Sequence, residues 1–258
     1  MAIKGARHIL ALKKRKDREE TNKYLIEGIR LCEEAIASDA PIEQLLFCRE
    51  SIDRNARLEA LFQSAVEKNI PIQQTDWRAF KGMSDTETPQ GVLGVVQMPK
   101  WDRDAILKST KPILILDRIS DPGNLGMMMR TAEAASCAGI FLTRGSVELF
   151  NPKVVRATMG AIFRLPAFPM ANGLELLQEL KQHNVSILAA HVDGTNHHQL
   201  TVEGSIALLL GNEAFGVDPE LLAQATQTVT IPMASPVESL NVAVASGILL
   251  YKLYELSL

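Results

Sequence analysis

The 258-residue chain is 47% hydrophobic and 22% charged, with a formal net charge of −3; that balance excludes extended disorder and suits one large domain or two modest ones. Its longest apolar run, Val242 to Tyr251, is about half of the roughly 20 residues a membrane-spanning helix needs. Three cysteines (Cys32, Cys48, Cys137) without CxxC spacing, and an N-terminus without a signal-peptide core, point to a soluble cytoplasmic protein with neither a disulfide framework nor a zinc site.

In chain order, the first third reads as a small α/β unit. Ile26, Ile29, Ala35 and Ile36 are apolar among charges and predict a helix over 26–36. Leu45 to Cys48 reads as a short buried strand, Arg57 to Val66 as a helix, and Gly91 to Val96 as a strand. The polar stretch from Met98 to Lys111 separates two apolar regions, which predicts a first domain over 1–98, a linker over 99–111 and a second domain over 112–258.

The second region alternates more cleanly. Apolar runs at Ile113–Leu116, Gly139–Thr143, Ser186–Ala190, Ile206–Leu210 and Thr228–Ile231 predict strands, and helical segments fall between them. A final helix is expected over Asn241 to Tyr254. Such alternation implies a parallel sheet covered on both faces, with ligands bound beyond the carboxyl ends of its strands.

Net charge is unevenly distributed. Residues 1–30 carry +5 and residues 111–164 carry +3, whereas 31–110 carry −4 and 165–258 carry −7. Binding of polyanions depends on such local patches more than on the total.

Three segments follow predicted strands. In Asp117 to Ala132, Pro122-Gly123 fits a type II turn, Asn124 fits a helix N-cap, and Arg130 follows six residues later. In Leu208 to Val217, an apolar strand runs into Gly211-Asn212-Glu213. A turn explains the glycine and asparagine but not Glu213, which could orient Arg130 through a bidentate pair. In Ile231 to Asn241, Ser239 or Asn241 can cap a nearly uncharged helix whose small residues suit close packing against a partner subunit.

Together these segments resemble the SpoU/TrmH branch of the SPOUT RNA methyltransferases. The match rests on Asn124 with Arg130, on Gly211-Asn212-Glu213, and on Ile231-Pro-Met233 followed by Ser239-Leu-Asn241. Asn151 to Ala161 is similar too, with Thr158 where serine is expected. Tyr24 to Gly28 and Pro89 to Gly94 resemble the small L30e-like substrate-binding domain of family members. The resemblance implies an α/β protein whose C-terminal parallel-sheet SPOUT domain holds a trefoil knot, an obligate homodimer through that domain, and S-adenosyl-L-methionine as methyl donor. It implies transfer to a ribose 2′-hydroxyl, which only RNA offers. Ribosomal RNA is favoured over transfer RNA. The implied catalytic set is Arg130, Asn124, Glu213, Ser239 and Asn241, and the implied donor-binding set is Gly211, Asn212, Ile231, Met233 and Leu240.

A guanidinium rarely gives up its proton, so Arg130 is expected to bind phosphate and polarise the hydroxyl rather than act as a base. Lys13, Lys14, Arg15, Lys16, Arg118, Arg144, Lys153 and Arg156 are expected RNA contacts, with Arg164 a further candidate. Other classes fit less well. A non-catalytic RNA-binding protein would not need the full motif set, and no GxGxxG follows any strand as a dehydrogenase requires. A metal site from His191, Asp193, His197 and His198 has very tight spacing and reads more simply as a polar loop.

Overall fold

A computed structural model describes residues 6–170, 172–201 and 203–256. The chain divides into two compact units, Met1–Lys100 with Phe150–Phe163, and Trp101–Leu149 with Arg164–Leu258. Residues 150–163 therefore group with the first unit, whereas the sequence alone places them inside the second domain.

The first unit is built on a four-stranded sheet of β1 (Lys23–Glu27), β2 (Ile42–Cys48), β3 (Ile72–Thr75) and β4 (Val92–Gln97), in the order β1-β4-β2-β3. Only β2 and β3 run parallel. The expected helix over 26–36 is corrected here. Tyr24 to Glu27 are buried as strand, and Gly28 turns the chain at φ +103° before the helix Ile29–Ala37. The glycine allows that break, since other residues rarely adopt such a φ.

The described part of the basic N-terminus packs against this sheet. Helices Ala6–Ala11 and Arg15–Thr21 dock on the sheet, with Ile9 and Leu12 fully buried beside Leu25, Leu46, Phe80 and Leu93. The buried Arg18 guanidinium donates to the carbonyls of Leu12 and Lys13, both at 2.9 Å, and so ties the two helices together.

The second unit has a wholly parallel sheet of β5 (Ile113–Leu116), β6 (Gly139–Leu142), β7 (Ala167–Pro169), β8 (Ser186–Asn196), β9 (Ile206–Leu210) and β10 (Gln227–Thr230), ordered β10-β8-β9-β5-β6-β7. Every residue of β5, β6 and β9 is buried, which explains their unbroken apolar character. The helix Gly173–Gln182 covers one face through Leu176, Leu177 and Leu180. In the stretch expected to be a linker, helix Arg103–Leu107 buries Ile106 and Leu107 in this same core. Strand β8 runs to Asn196, well past the expected end at Ala190. Its late course needs Gly194, because a Cβ there would lie 2.5 Å from the backbone carbon of Val229 on β10.

Strand β5 lies between β9 and β6, so the chain reverses its direction of travel across the sheet there. The loops after β5 and β9 consequently meet at the carboxyl edge, where an open parallel sheet forms its crevice.

Candidate active site

Asp117, directly after β5, organises this edge. Its buried carboxylate accepts from the Thr143 hydroxyl at 2.7 Å, the Asp218 amide at 2.9 Å and the Arg118 Nε at 3.1 Å. One side chain thus joins the loops after β5, β6 and β9.

The next helix, Pro122–Ala134, is capped by Asp121 and not by Asn124; the Asp121 carboxylate accepts from the Asn124 amide at 2.8 Å. Pro122 and Gly123 are its first residues and form no separate turn, a placement that suits the fixed φ of proline and the missing N–H. That shift frees the Asn124 side chain. It is buried inside the first helical turn, and its Nδ2 donates to Glu213 Oε1 at 3.1 Å while its Oδ1 accepts from Asn241 Nδ2 at 3.0 Å. The three sequence segments are therefore joined by one hydrogen-bond chain, Asn241 to Asn124 to Glu213.

Each end of that chain has further duties. Asn241 Oδ1 accepts from the Ala243 amide at 2.9 Å and the Val244 amide at 3.3 Å, which caps the helix Val242–Leu256. Glu213 accepts from the backbone of Ser120 and Asp121, at 3.2 and 3.1 Å, and from the Ser120 hydroxyl at 3.0 Å. Burial alone would raise its pKa, but the Asn124 amide and the backbone donors outweigh that and hold it at about 2. Glu213 is an ionised clamp and a very weak base.

Gly211 and Asn212 build the turn that presents this carboxylate. A Cβ on Gly211 would sit 2.0 Å from Gly216 and Val217 backbone atoms, so only glycine fits. Asn212 Nδ2 donates to the Arg118 carbonyl at 2.7 Å, and its Oδ1 accepts from Ala214 and Phe215 amides. Its side chain serves the turn.

A cavity of about 320 Å³ opens beside the turn, lined by Leu210, Ile231, Met233, Leu240 and Leu249 and by the ends of β9 and β10. Gly211, Asn212, Glu213 and Ser239 also line it, as does His191 from the long β8. Apolar walls with one fixed negative charge fit a cation carrying an aromatic ring and a short aliphatic chain. Sequence reasoning missed Asp117, Ser120 and the β8 contribution. Asp117 ends an apolar run abruptly, and that was the available signal.

Arg130 stands apart from Glu213. Six residues turn a helix through about 600°, so it lies about 120° around from Asn124. It lines a groove with Met127, Ala243, Val244 and Tyr251, and it has no hydrogen-bond or ion-pair partner among the described residues. The expected Arg130–Glu213 pair is therefore absent within one chain: Glu213 accepts from Ser120, Asp121 and Asn124, and Arg130 points from another side of the helix.

Several expected RNA contacts have structural partners. Arg118 binds Asp117 and Asp218, Lys13 donates to the Ser84 carbonyl at 2.8 Å, and Arg156 pairs with Asp85 at 3.3 Å. Arg15 and Lys16 pair along their helix with Glu19 and Glu20, contacts that exposed groups exchange readily. Arg164 pairs with Glu133 at 2.5 Å. Lys14, Arg144 and Lys153 are exposed without a partner among the described residues. Neither the histidines after β8 nor any other described residues form a cluster of three metal-binding groups.

Comparison with known proteins agrees with this geometry. The SpoU rRNA Methylase family profile matches residues 111–251, and an MRM3-like substrate binding domain profile matches 4–94. The chain is 34% identical over 240 residues to the 23S rRNA (guanosine(2553)-2′-O)-methyltransferase RlmP of Bacillus subtilis, covering 93% of this chain and 91% of that protein. It is 28% identical to the human mitochondrial rRNA methyltransferase 3, covering 93% of this chain and 69% of that protein. Among solved structures, an AdoMet-bound rRNA methyltransferase from Sinorhizobium meliloti superposes with a TM-score of 0.84 at 27% identity, covering 100% of this chain and 97% of that one. The chain belongs to the SpoU rRNA methylase family.

Proposed function

We propose that this protein methylates a ribose 2′-hydroxyl in RNA, ribosomal RNA by preference, using S-adenosyl-L-methionine. The observation that carries the proposal is the hydrogen-bond chain that joins Asn241, Asn124 and Glu213 beside an apolar cavity at the sheet's carboxyl edge. Leu210, Ile231, Met233 and Leu240 would hold the donor, and Glu213 provides a fixed negative charge on the lining. The bound donor supplies an electrophilic methyl group on a positively charged sulfur.

The protein's own task is then alignment. Asn124 and Asn241 are fixed by each other, and Asn241 also by the helix it caps. Glu213 acts as a positioning residue that holds Asn124 and the loop after β5. Ser239 is exposed on the cavity lining, where it would meet the substrate hydroxyl. Arg130, whose groove is separate from the cavity in one chain, would bind an RNA phosphate and polarise that hydroxyl where two copies meet; the hydroxyl proton leaves to water, since Arg130 keeps its own proton and Glu213 is too weak a base.

The working unit is a homodimer. Val244, Ile248 and Tyr251 form an exposed stripe at helical spacing on Val242–Leu256, and the exposed Met127 lies on the same groove as Arg130. A second copy seated there would cover the stripe and bring its own surface beside Arg130. The knotted connection implied by the family resemblance belongs to this reading too. Three free cysteines suit a cytoplasmic setting.

Arg130→Ala separates the roles. It is expected to abolish methyl transfer while the S-adenosyl-L-methionine Kd stays within a few-fold of wild type; near-normal turnover would remove Arg130 from the mechanism.

A further inference from the structure

A concavity of about 640 Å³ lies in the first unit. Its walls come from four separate stretches: Glu27 to Leu31 at the end of β1, Asn55 and Arg57 at the start of helix Ala56–Glu67, the loop Thr86–Gln90, and Arg156 with Met159. The last two residues belong to the segment 150–163 that groups with this unit. We propose that this cavity binds one unstacked nucleotide of the RNA substrate, other than the one that is methylated. This inference rests on RNA being the substrate.

The lining suits a nucleotide in three respects. First, it carries three guanidinium groups. Arg57 is fixed by two bonds to Glu33, at 2.8 and 2.5 Å, and Arg156 by Asp85. A guanidinium held along its edge presents a flat face on which a base can stack. Arg30 is exposed and has no partner among the described residues, so it is available to a phosphate.

Second, two amides are fixed with their donors unspent. Gln90 Oε1 accepts from the Ile29 amide at 2.8 Å, and Asn55 Oδ1 accepts from Arg57 and Leu58 amides at 3.1 and 3.2 Å. Each oxygen serves the start of a helix, so each NH₂ group remains to read the acceptors of a base edge. Gly28 leaves room for the Gln90 contact: a Cβ there would lie 3.1 Å from Gln90 Oε1, and its φ of +103° favours glycine.

Third, the loop that forms one wall is anchored next to the basic helices. Lys13 Nζ donates to the Ser84 carbonyl, and the Ser84 and Thr86 hydroxyls both donate to the buried Glu27 carboxylate. Exposed Lys14, Arg15 and Lys16 follow directly from Lys13 and can track the backbone that leads to the cavity.

Two variants test the site at side chains that make no hydrogen bond among the described residues. Thr88→Trp fills the mouth with no change of charge, and Arg30→Ala removes the free guanidinium. RNA affinity and kcat/KM are measured on an unmodified 23S rRNA transcript over a salt series, alongside the S-adenosyl-L-methionine Kd. Each variant is expected to weaken RNA binding about tenfold, in the range of one lost base contact, with donor affinity unchanged. The slope of log K against log salt should stay constant for Thr88→Trp and fall by about 1 for Arg30→Ala. Wild-type RNA affinity in both variants, with methyl transfer intact, would overturn the nucleotide site and leave the activity standing. RNA binding that depends on these residues without any methyl transfer would do the reverse. Saturation by free nucleoside monophosphates, with RNA binding indifferent to both variants, would also overturn it.

Discussion

Asn124→Ala tests the hydrogen-bond chain at its centre. The substitution removes a donor to Glu213 and an acceptor from Asn241 in one step. A neutral pair contributes about 0.5–1.5 kcal/mol and a bond to a charged group about 1.5–3 kcal/mol. Glu213 is solvent-accessible, so water replaces part of the loss and its contribution belongs at or below the low end. The expected cost is about 2 kcal/mol. For a protein of this size that lowers Tm by about 4–8 °C.

The pH dependence gives a second check with a definite sign. The Glu213 carboxyl sits at about 2 in the folded protein, against about 4.3 in an unfolded chain. Its stabilisation is complete above about pH 5 and disappears as the pH falls towards 2. Without the Asn124 amide the folded pKa rises, so the deficit of the variant is largest near neutrality and shrinks in acid. Differential scanning calorimetry between pH 7 and pH 3 measures both quantities. A Tm within about 1 °C of wild type at pH 7, or a deficit that grows in acid, would refute the reasoning.

Other expectations follow from the same geometry. Gly211→Ala places a Cβ 2.0 Å from backbone that cannot move aside; it should cost the upper part of the ~1–3 kcal/mol overpacking range or more and abolish donor binding by calorimetric titration. Leu12→Ala, in the basic N-terminal segment, should destabilise the first unit by about 2–5 kcal/mol, because that segment is core; a fully exposed arm would show no change. Tyr251→Asp should convert a dimer to monomers in light scattering and lower turnover with it, whereas an unchanged mass would remove the stripe from the interface.

Much of this site was legible in the sequence because its chemistry is local in the chain. Gly211-Asn212-Glu213 follows a buried strand, and a carboxylate there has no role in a turn. Asn124 and Asn241 were legible as residue types but not as partners, since their contact spans 117 positions. Capping misled in detail. Asp121 and Asn124 are both good caps, and Pro122 between them decides for Asp121 because proline prefers the first helical position. The Arg130–Glu213 pair failed on helical phase, a test the six-residue spacing already allowed. Composition misled at the N-terminus, where a run of lysines and arginines hides Ile9 and Leu12 on the buried face. Nothing local marked residues 150–163 as part of the first unit, because their partners are Tyr24 and Glu34, more than a hundred residues earlier.

The most direct measurement identifies the atom that receives the methyl group. The protein is incubated with isotopically labelled S-adenosyl-L-methionine and unmodified ribosomal or transfer RNA, and the RNA is digested to nucleosides and analysed by mass spectrometry. Label is expected on a ribose 2′-oxygen at one position of ribosomal RNA and is expected to be lost in Arg130→Ala. Label on a base, or no label in any RNA from a preparation that binds the donor, would contradict that expectation.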